Sequence, residues 1–490
     1  MGDENTIIST DTELRHMLGR ALLGASPKDL KKAKNLVGAS RGAAADYVLG
    51  LKRKTLKLKP DEPREMHDTW VRHMLKGKSP CQDKAVLLWH DHFATSASVV
   101  EYEEAVVEHF RLHYESVFGN FKDYVKAINT DPAMMIFLDT ILNKKAIPNE
   151  NYARELCELF TIREKDLNGV ANYTQADIVQ IARAFTGWTI EEDGAFFDAD
   201  QHDFDAEFSA SRGPKVLFDN AHGFPPGGVS FTTAGEGAAE IDTVIEILFA
   251  HTDSDGMNTV ARAVANKMIE FYCYANPDKA DVDAVVAASG FEVTWNLEAL
   301  MRAIFVHDVF WETAAGAPYD ANTKKSVKWP IDFVVGTMRS IDMKARGRYL
   351  YLPGGEYLDL FDHLSNMGQI VGEPPSVFGW DWEESWISSS TLLARYTFAR
   401  DIGNARYGGK FRSHKLVNKK LTDPGEIADA AIAALGMTGQ FTSAERDDLI
   451  DYLTDNGANP TLDLKDKYVL NLKLNGLFAL LMQSPQFQLH

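Results

Sequence analysis

The chain has little cysteine and no excess of positive charge, and each shortage excludes a class of protein. Three cysteines in 490 residues, Cys81, Cys157 and Cys273, are too few and too scattered for a disulfide framework or a thiolate zinc site. Cys157 and Cys273 sit among apolar helical neighbours and read as packed thiols. Lys and Arg number 51 against 70 Asp and Glu, giving a net charge of −19 and a pI near 5.2. Nonspecific binding to nucleic acid or anionic membrane needs the opposite balance, so neither is expected as a partner. No run reaches about 18 apolar residues, so no membrane span is expected. The Gly-rich phosphate loops of dinucleotide-binding and P-loop proteins are absent. Met1 to Thr6 has neither a basic region nor an apolar one. The location expected is therefore cytoplasmic, unless a leader precedes this sequence.

Helix signals dominate what is present. Ser26-Pro27-Lys28-Asp29, Thr174-Gln175-Ala176-Asp177 and Thr442-Ser443-Ala444-Glu445 each place a hydroxyl cap three residues before an acid, ahead of an apolar-periodic run. Strand signals are few: Tyr349 to Leu352 and the neighbourhood of Phe196-Phe197 are enough for a small hairpin. These features predict an all-α, multi-helix fold. Its expected parts are an N-terminal helical lobe over 10–190, an irregular Gly/Pro/aromatic segment over 191–237, and a C-terminal helical lobe over 238–490. A second irregular stretch, 346–386, contains Pro353-Gly354-Gly355, Pro374-Pro375, Trp380, Trp382 and Trp386. Loops this long and aromatic are expected to pack over the helices.

The polar centre of the sequence is Pro148 to Phe160. As a helix capped by Asn149, it places Tyr152, Leu156, Leu159 and Phe160 on one side, and Glu150, Asn151, Arg154, Glu155 and Glu158 on the other. Read blandly, that second side is a solvated face with i,i+4 ion pairs. Read functionally, Glu155 and Glu158 reach one point and Arg154 holds an anion. Histidines that could join them are His90 and His92, in Trp89-His90-Asp91-His92-Phe93, and His202-Asp203 in the first irregular segment. Helical bundles often build metal sites from inward-facing Glu and His, although the usual di-iron Glu-x-x-His spelling is absent.

With these landmarks the chain resembles the bacterial family known as domain of unknown function 1800. The matching residues run from Trp89-His90-Asp91-His92-Phe93 and Asp131-Pro132-Ala133-Met134 through Pro148 to Phe160 and Ala182 to Trp188. They continue through His202-Asp203, Lys215, Lys267, Lys328, Gly368-Gln369 and Pro374 to Trp380, and end at Ser484 to Gln488. Trp329 stands where serine is usual, and Thr161-Ile162-Arg163-Glu164 replaces the usual Leu-Gly after the central helix. The resemblance implies a frequently exported protein, often encoded beside a sulfatase-like partner protein, and hence work on an envelope polysaccharide ligand.

The expectation that follows is a metal-dependent hydrolytic enzyme acting on an anionic or carbohydrate substrate. Glu155, Glu158 and Arg154 are its expected catalytic residues, and Asn149, Asn151, Trp380 and Gln369 its substrate-binding residues. His90, His92, His202 and Asp203 are the expected ligands of a divalent metal ion. The rival is a non-catalytic binding or assembly protein whose charged helix is an ion-pair network.

Overall fold

Three motifs cap helices where the spacing predicts them. Ser26 with Asp29, Thr174 with Asp177 and Thr442 with Glu445 form capping boxes that open the Pro27–Ala33, Gln175–Ala184 and Ser443–Thr454 helices. In each, hydroxyl and carboxylate satisfy N–H groups that a first turn leaves without partners. The computed structural model describes residues 3–58, 63–191, 194–204, 213–219, 221, 223–231, 237–312, 324–343, 349–351, 357–404 and 411–490.

Over those residues the fold is all-α, with strands confined to three antiparallel hairpins. Trp188–Glu191 pairs with Gly194–Phe197, and Tyr349–Tyr351 with Tyr357–Asp359, where the two strand signals lie. A third hairpin, Val216–Leu217 with Val229–Ser230, is too short to carry a pattern. It is closed by the Pro225–Gly228 turn, whose N–H to carbonyl bond is 2.9 Å. Pro353-Gly354-Gly355 lies outside the described residues. Among the described residues, no helix is long and apolar enough to cross a membrane.

Helices from both ends of the chain share one apolar core. Arg41–Leu49 packs on Leu297–Val306, Pro63–Lys76 on Pro330–Ser340, and Asp11–Ala21 on Asp308–Trp311. The aromatic loop residues join that core, as their composition suggests: Trp380, Trp386 and Phe231 are buried, and Trp329 contacts Trp380, Trp382 and Trp386.

The helix at the middle is Pro80–His92, all 13 of whose residues are buried. Six are polar, and burying them without partners would cost several kcal/mol. Gln82 accepts from Lys54 N and donates to Tyr114 O, both at 2.7 Å, and Asp83 accepts from the Tyr114 hydroxyl at 2.8 Å. Lys84 pairs with Asp332 at 2.6 Å. The last three, His90, Asp91 and His92, each face a different neighbour.

The Pro148–Phe160 stretch departs from a regular α-helix. The N-cap is Glu150, one residue after the expected Asn149, and makes no side-chain cap bond; Asn149 Oδ1 accepts from Asn151 N at 2.9 Å, α-geometry holds only over Asn151–Glu155, and Leu156–Phe160 is a π-helix. The wider turn ends where Arg163, at φ 64°, donates its N–H to Cys157 O at 2.8 Å. Thr161 Oγ1 also donates to Leu156 O, at 2.5 Å. The carbonyls that an α-turn would have used are thus taken from beyond its end.

Candidate metal centre

Successive residues on a helix point about 100° apart, and the buried end of Pro80–His92 uses that divergence. His90 faces the Glu103–Ser116 helix. There His109 and His113, four residues apart, share one face, and the potential ligand atoms of the three histidines all lie within 4.8 Å of one another. His90, His109 and His113 are each 0 % exposed. His109 Nε2 and His113 Nε2 are 2.9 Å apart.

Each of the two paired histidines has an outer partner. His109 Nδ1 lies 2.9 Å from Asp131 Oδ1, so this nitrogen carries the proton and Nε2 presents its lone pair to the cluster. His113 Nδ1 bonds the Tyr124 hydroxyl. Both nitrogens of His90 lack a hydrogen-bond partner among the described residues. Trp70, Phe110 and Trp380 wall the ring at centroid distances of 5.7, 4.8 and 5.4 Å. A buried polar group left without a partner costs about 1–3 kcal/mol, which a bound cation would relieve. Burial pushes the His90 and His113 imidazolium pKa values well below the ordinary range, with further lowering from His109, so both rings stay neutral at pH 7. Neutral imidazole is the ligand form.

The donor set fits a first-row divalent metal. With metal–nitrogen bonds of about 2.0–2.1 Å, tetrahedral ligands stand roughly 3.3 Å apart; here one nitrogen pair is 2.9 Å apart and the whole set lies within 4.8 Å. Three imidazoles with a carboxylate behind one of them suit zinc or a neighbouring transition ion better than calcium or magnesium. Among the described residues no fourth His, Cys, Asp or Glu joins the group.

Asp91 faces the aromatic loop. It accepts from Trp380 N at 2.8 Å and Trp382 Nε1 at 3.2 Å, and pairs with Lys267 at 3.0 Å. Gly379 lies against it so closely that a Cβ there would stand 2.4 Å from Asp91 Oδ1. Asp91 thus holds the segment whose Trp380 covers His90.

Of the four expected metal ligands only His90 belongs to this centre. His92 points about 200° away along the helix and bonds Phe160 O at 3.2 Å. His202 and Asp203 belong to a separate buried cluster. There Arg183 pairs with Asp203 at 3.0 Å, and Lys215 pairs with Glu240 at 2.6 Å while also donating to Asp203 O. His202 Nδ1 bonds Thr186 O at 2.7 Å, and its Nε2 stands 3.4 Å from Glu240. Ion pairs and a main-chain carbonyl engage Asp203 and His202 Nδ1, His202 Nε2 makes no hydrogen bond among the described residues, and the structure does not gather these groups with His92 on one point.

The charged side of the central helix also divides. Arg154 pairs with Glu150 at 3.3 Å and both bond Gln175, while Tyr173 donates to Glu158. All three charged residues are half-exposed, close to the bland reading. Glu155 is buried, with Oε2 unpartnered, and burial together with Glu158 raises its carboxyl to about 7. The helix approaches the histidines by its apolar side instead, through Phe160 and Phe93, whose rings are 5.2 Å apart; Phe93 in turn meets Tyr124 at 4.9 Å. Asn149 and Asn151 tie the helix start to the carbonyls of Asp139 and Leu138. Trp380 and Gln369 are buried, and Gln369 Oε1 accepts from Ile331 N at 2.9 Å, so both serve packing in this conformation.

Sequence reading passed over His109, His113, Asp131 and Tyr124. The available signal was the His-x-x-x-His spacing in a helical run, which puts both rings on one face. A G-x-S-x-G spelling at Gly38 to Gly42 is not a nucleophile elbow. Ser40 is the N-cap of the Arg41–Leu49 helix, its hydroxyl accepting from Ala43 N at 3.2 Å.

Neither curated proteins nor solved structures gave a match to this chain. A family model does match, over residues 10–489, and the chain therefore belongs to the family described as protein of unknown function (DUF1800).

Proposed function

We propose that this protein is a metal-dependent hydrolytic enzyme whose divalent cation is held by His90, His109 and His113. The observation that carries the reading is a three-nitrogen donor set with no fourth protein ligand among the described residues. Structural zinc sites close with four protein ligands, whereas catalytic ones keep one position open. A cation held there supplies Lewis acidity at that position. Asp131 keeps the His109 lone pair aimed inward, and Tyr124 would do the same for His113 by accepting the Nδ1 proton. Trp380 excludes water from the His90 side, and the Asp91 bonds to Trp380 N and Trp382 Nε1 must loosen for substrate to enter.

A second reading is favoured by the complete burial of all three rings: a metal that only stabilises the fold. Cobalt substitution separates the two. The catalytic reading expects a visible spectrum that shifts when azide or cyanide takes the open position. A cobalt spectrum indifferent to both anions would leave only the structural reading. Less than a tenth of an equivalent of metal in wild-type protein after supplementation would remove both.

A further inference from the structure

Three segments remote from the histidine centre, 141–144, 187–189 and 198–201, meet beside the first hairpin and leave a cleft of about 210 Å³ between them. Main-chain bonds make its frame. Gly187 N donates to Asn143 O at 3.0 Å, Asp198 N to Gly187 O at 2.8 Å, and Lys145 N to Gln201 O at 2.8 Å. Asn143 is committed to the same frame, its amide donating to Ala182 O at 2.9 Å and accepting from Asn149 N at 2.8 Å. The close approach requires glycine: Gly187 has φ 85°, and a Cβ there would stand 2.5 Å from Asp198 O. Directly after Gln201, His202 and Asp203 are anchored by Thr186 O and Arg183, which fixes the frame from behind.

The side chains carried by this frame are of two kinds. Lys144, Thr189 and Gln201 line the cleft, and their side chains make no hydrogen bond or ion pair among the described residues. Asp198 Oδ1 accepts from Asp200 N at 3.0 Å, which orients the carboxylate and leaves Oδ2 available. One ammonium, one carboxylate, one amide and one hydroxyl thus offer both donors and acceptors, with their charges balanced. Trp188 is the apolar member. It is half-buried, its Nε1 is buried and its ring lies 5.4 Å from that of Phe197, so the surface it exposes is carbon. Phe196, 43 % exposed, pairs across the hairpin with Thr189 and stands on the same face. A lone metal cation or oxyanion would use one of the two charges and meet the other. A ligand that uses the whole lining has an apolar face and a rim of groups that each donate and accept, as a pyranose ring has.

We infer that this cleft binds one pyranose unit of a carbohydrate, its C–H face against Trp188 and its hydroxyls shared among Asp198, Lys144, Thr189 and Gln201. Asp198 is preset by its bond to Asp200 N and the backbone by its three cross-links, so little freedom is lost there when the sugar enters. The inference does not rest on the metal reading, because the two sites share no residue.

Saturation-transfer NMR of the full chain tests it, with methyl glucoside, methyl galactoside, N-acetylglucosamine and glucuronate as probes at millimolar concentration. At least one is expected to give a saturable signal, weakened at least tenfold in Asp198→Asn and several-fold in Lys144→Met. Asp198→Asn keeps the acceptor for Asp200 N, so the turn that carries it should persist. A second measurement needs no variant: the bound sugar should slow acetylation of Lys144, read by peptide mass spectrometry. No saturable signal from any of the four sugars overturns the inference. So does wild-type affinity in a folded Asp198→Asn with unchanged Lys144 acetylation. Saturable binding of L-phenylalanine that is lost in Asp198→Asn and that no sugar displaces also overturns it, by making the cleft an amino-acid site.

Discussion

Two buried polar clusters of this protein, built from similar residues, end in opposite states. Around Asp203, two cations and two carboxylates pair off: Arg183 with Asp203, Lys215 with Glu240, and His202 finds a main-chain carbonyl. Around His109, among the described residues, Asp131 is the one ion-pair partner, three imidazoles face one another, and His90 makes no hydrogen bond. The first cluster matches its charges in pairs, leaving His202 Nε2 and Glu240 Oε1 without hydrogen bonds among the described residues. The second leaves both His90 nitrogens without a hydrogen bond among the described residues, a cost that a bound cation would relieve. A histidine beside an aspartate in sequence, as at His202-Asp203, is therefore a weaker sign of a metal than a histidine whose nitrogens have nowhere to go.

The contrast can be broken from either side. The largest effect is expected from Asp203→Ala, which removes the buried carboxylate that Arg183 holds at 3.0 Å. Denaturant unfolding should show a loss of about 3–5 kcal/mol, the same with or without metal. An equal loss that metal restores would place Asp203 in the His109 cluster instead. Next is metal itself: zinc at about 100 times its dissociation constant should stabilise wild type by about 2.7 kcal/mol and His90→Ala by far less. Equal stabilisation of both would remove His90 from the centre. Asp131→Asn is expected to weaken metal binding by about 10–100-fold, by releasing the His109 tautomer, with little effect on the Asp203 cluster. Competition with a chromogenic chelator measures this.

The smallest effect concerns Glu155, which belongs to neither cluster. Its folded carboxyl is raised to about 7 against an ordinary value of 4.5. Its stabilising contribution is then complete below pH 4.5 and lost as pH rises through 7. Glu155→Gln should leave thermal stability at pH 4.5 nearly unchanged and raise it at pH 8 by on the order of 1 kcal/mol. A gain at pH 4.5 as large as that at pH 8 would mean that the carboxyl is not raised.

The sign is reversed for the buried histidines. His16 and His490 are lowered to about 3, chiefly by burial, and His90, His92 and His113 are lowered well below 6.5. Below pH 6.5 the unfolded chain takes up protons that the folded one refuses, so stability should fall steeply with acid. Bound metal should deepen that dependence, since its loss on acidification requires the same protonations.

The sequence by itself determined the helical class, the three capping boxes, the packing of the aromatic loops and the family, because each is written in neighbouring residues. Hydroxyl-to-acid spacing reaches three residues, helical periodicity four, and a motif about a dozen in this chain. Tertiary structure alone decided which polar groups meet. His90 and His109 are 19 positions apart, and Asp131 a further 22, joined only because the Pro80–His92 helix is buried against Glu103–Ser116. Likewise, Arg20, Lys328 and His490 come from remote parts of the chain, and the cavity they line exists only after the two ends pack. The most conspicuous sequence, Pro148 to Phe160, contributes an apolar side and a π-turn to the histidine neighbourhood and keeps most of its charge half-exposed. Burial, which local sequence specifies only by pattern, was the quantity that sorted reactive groups from paired ones.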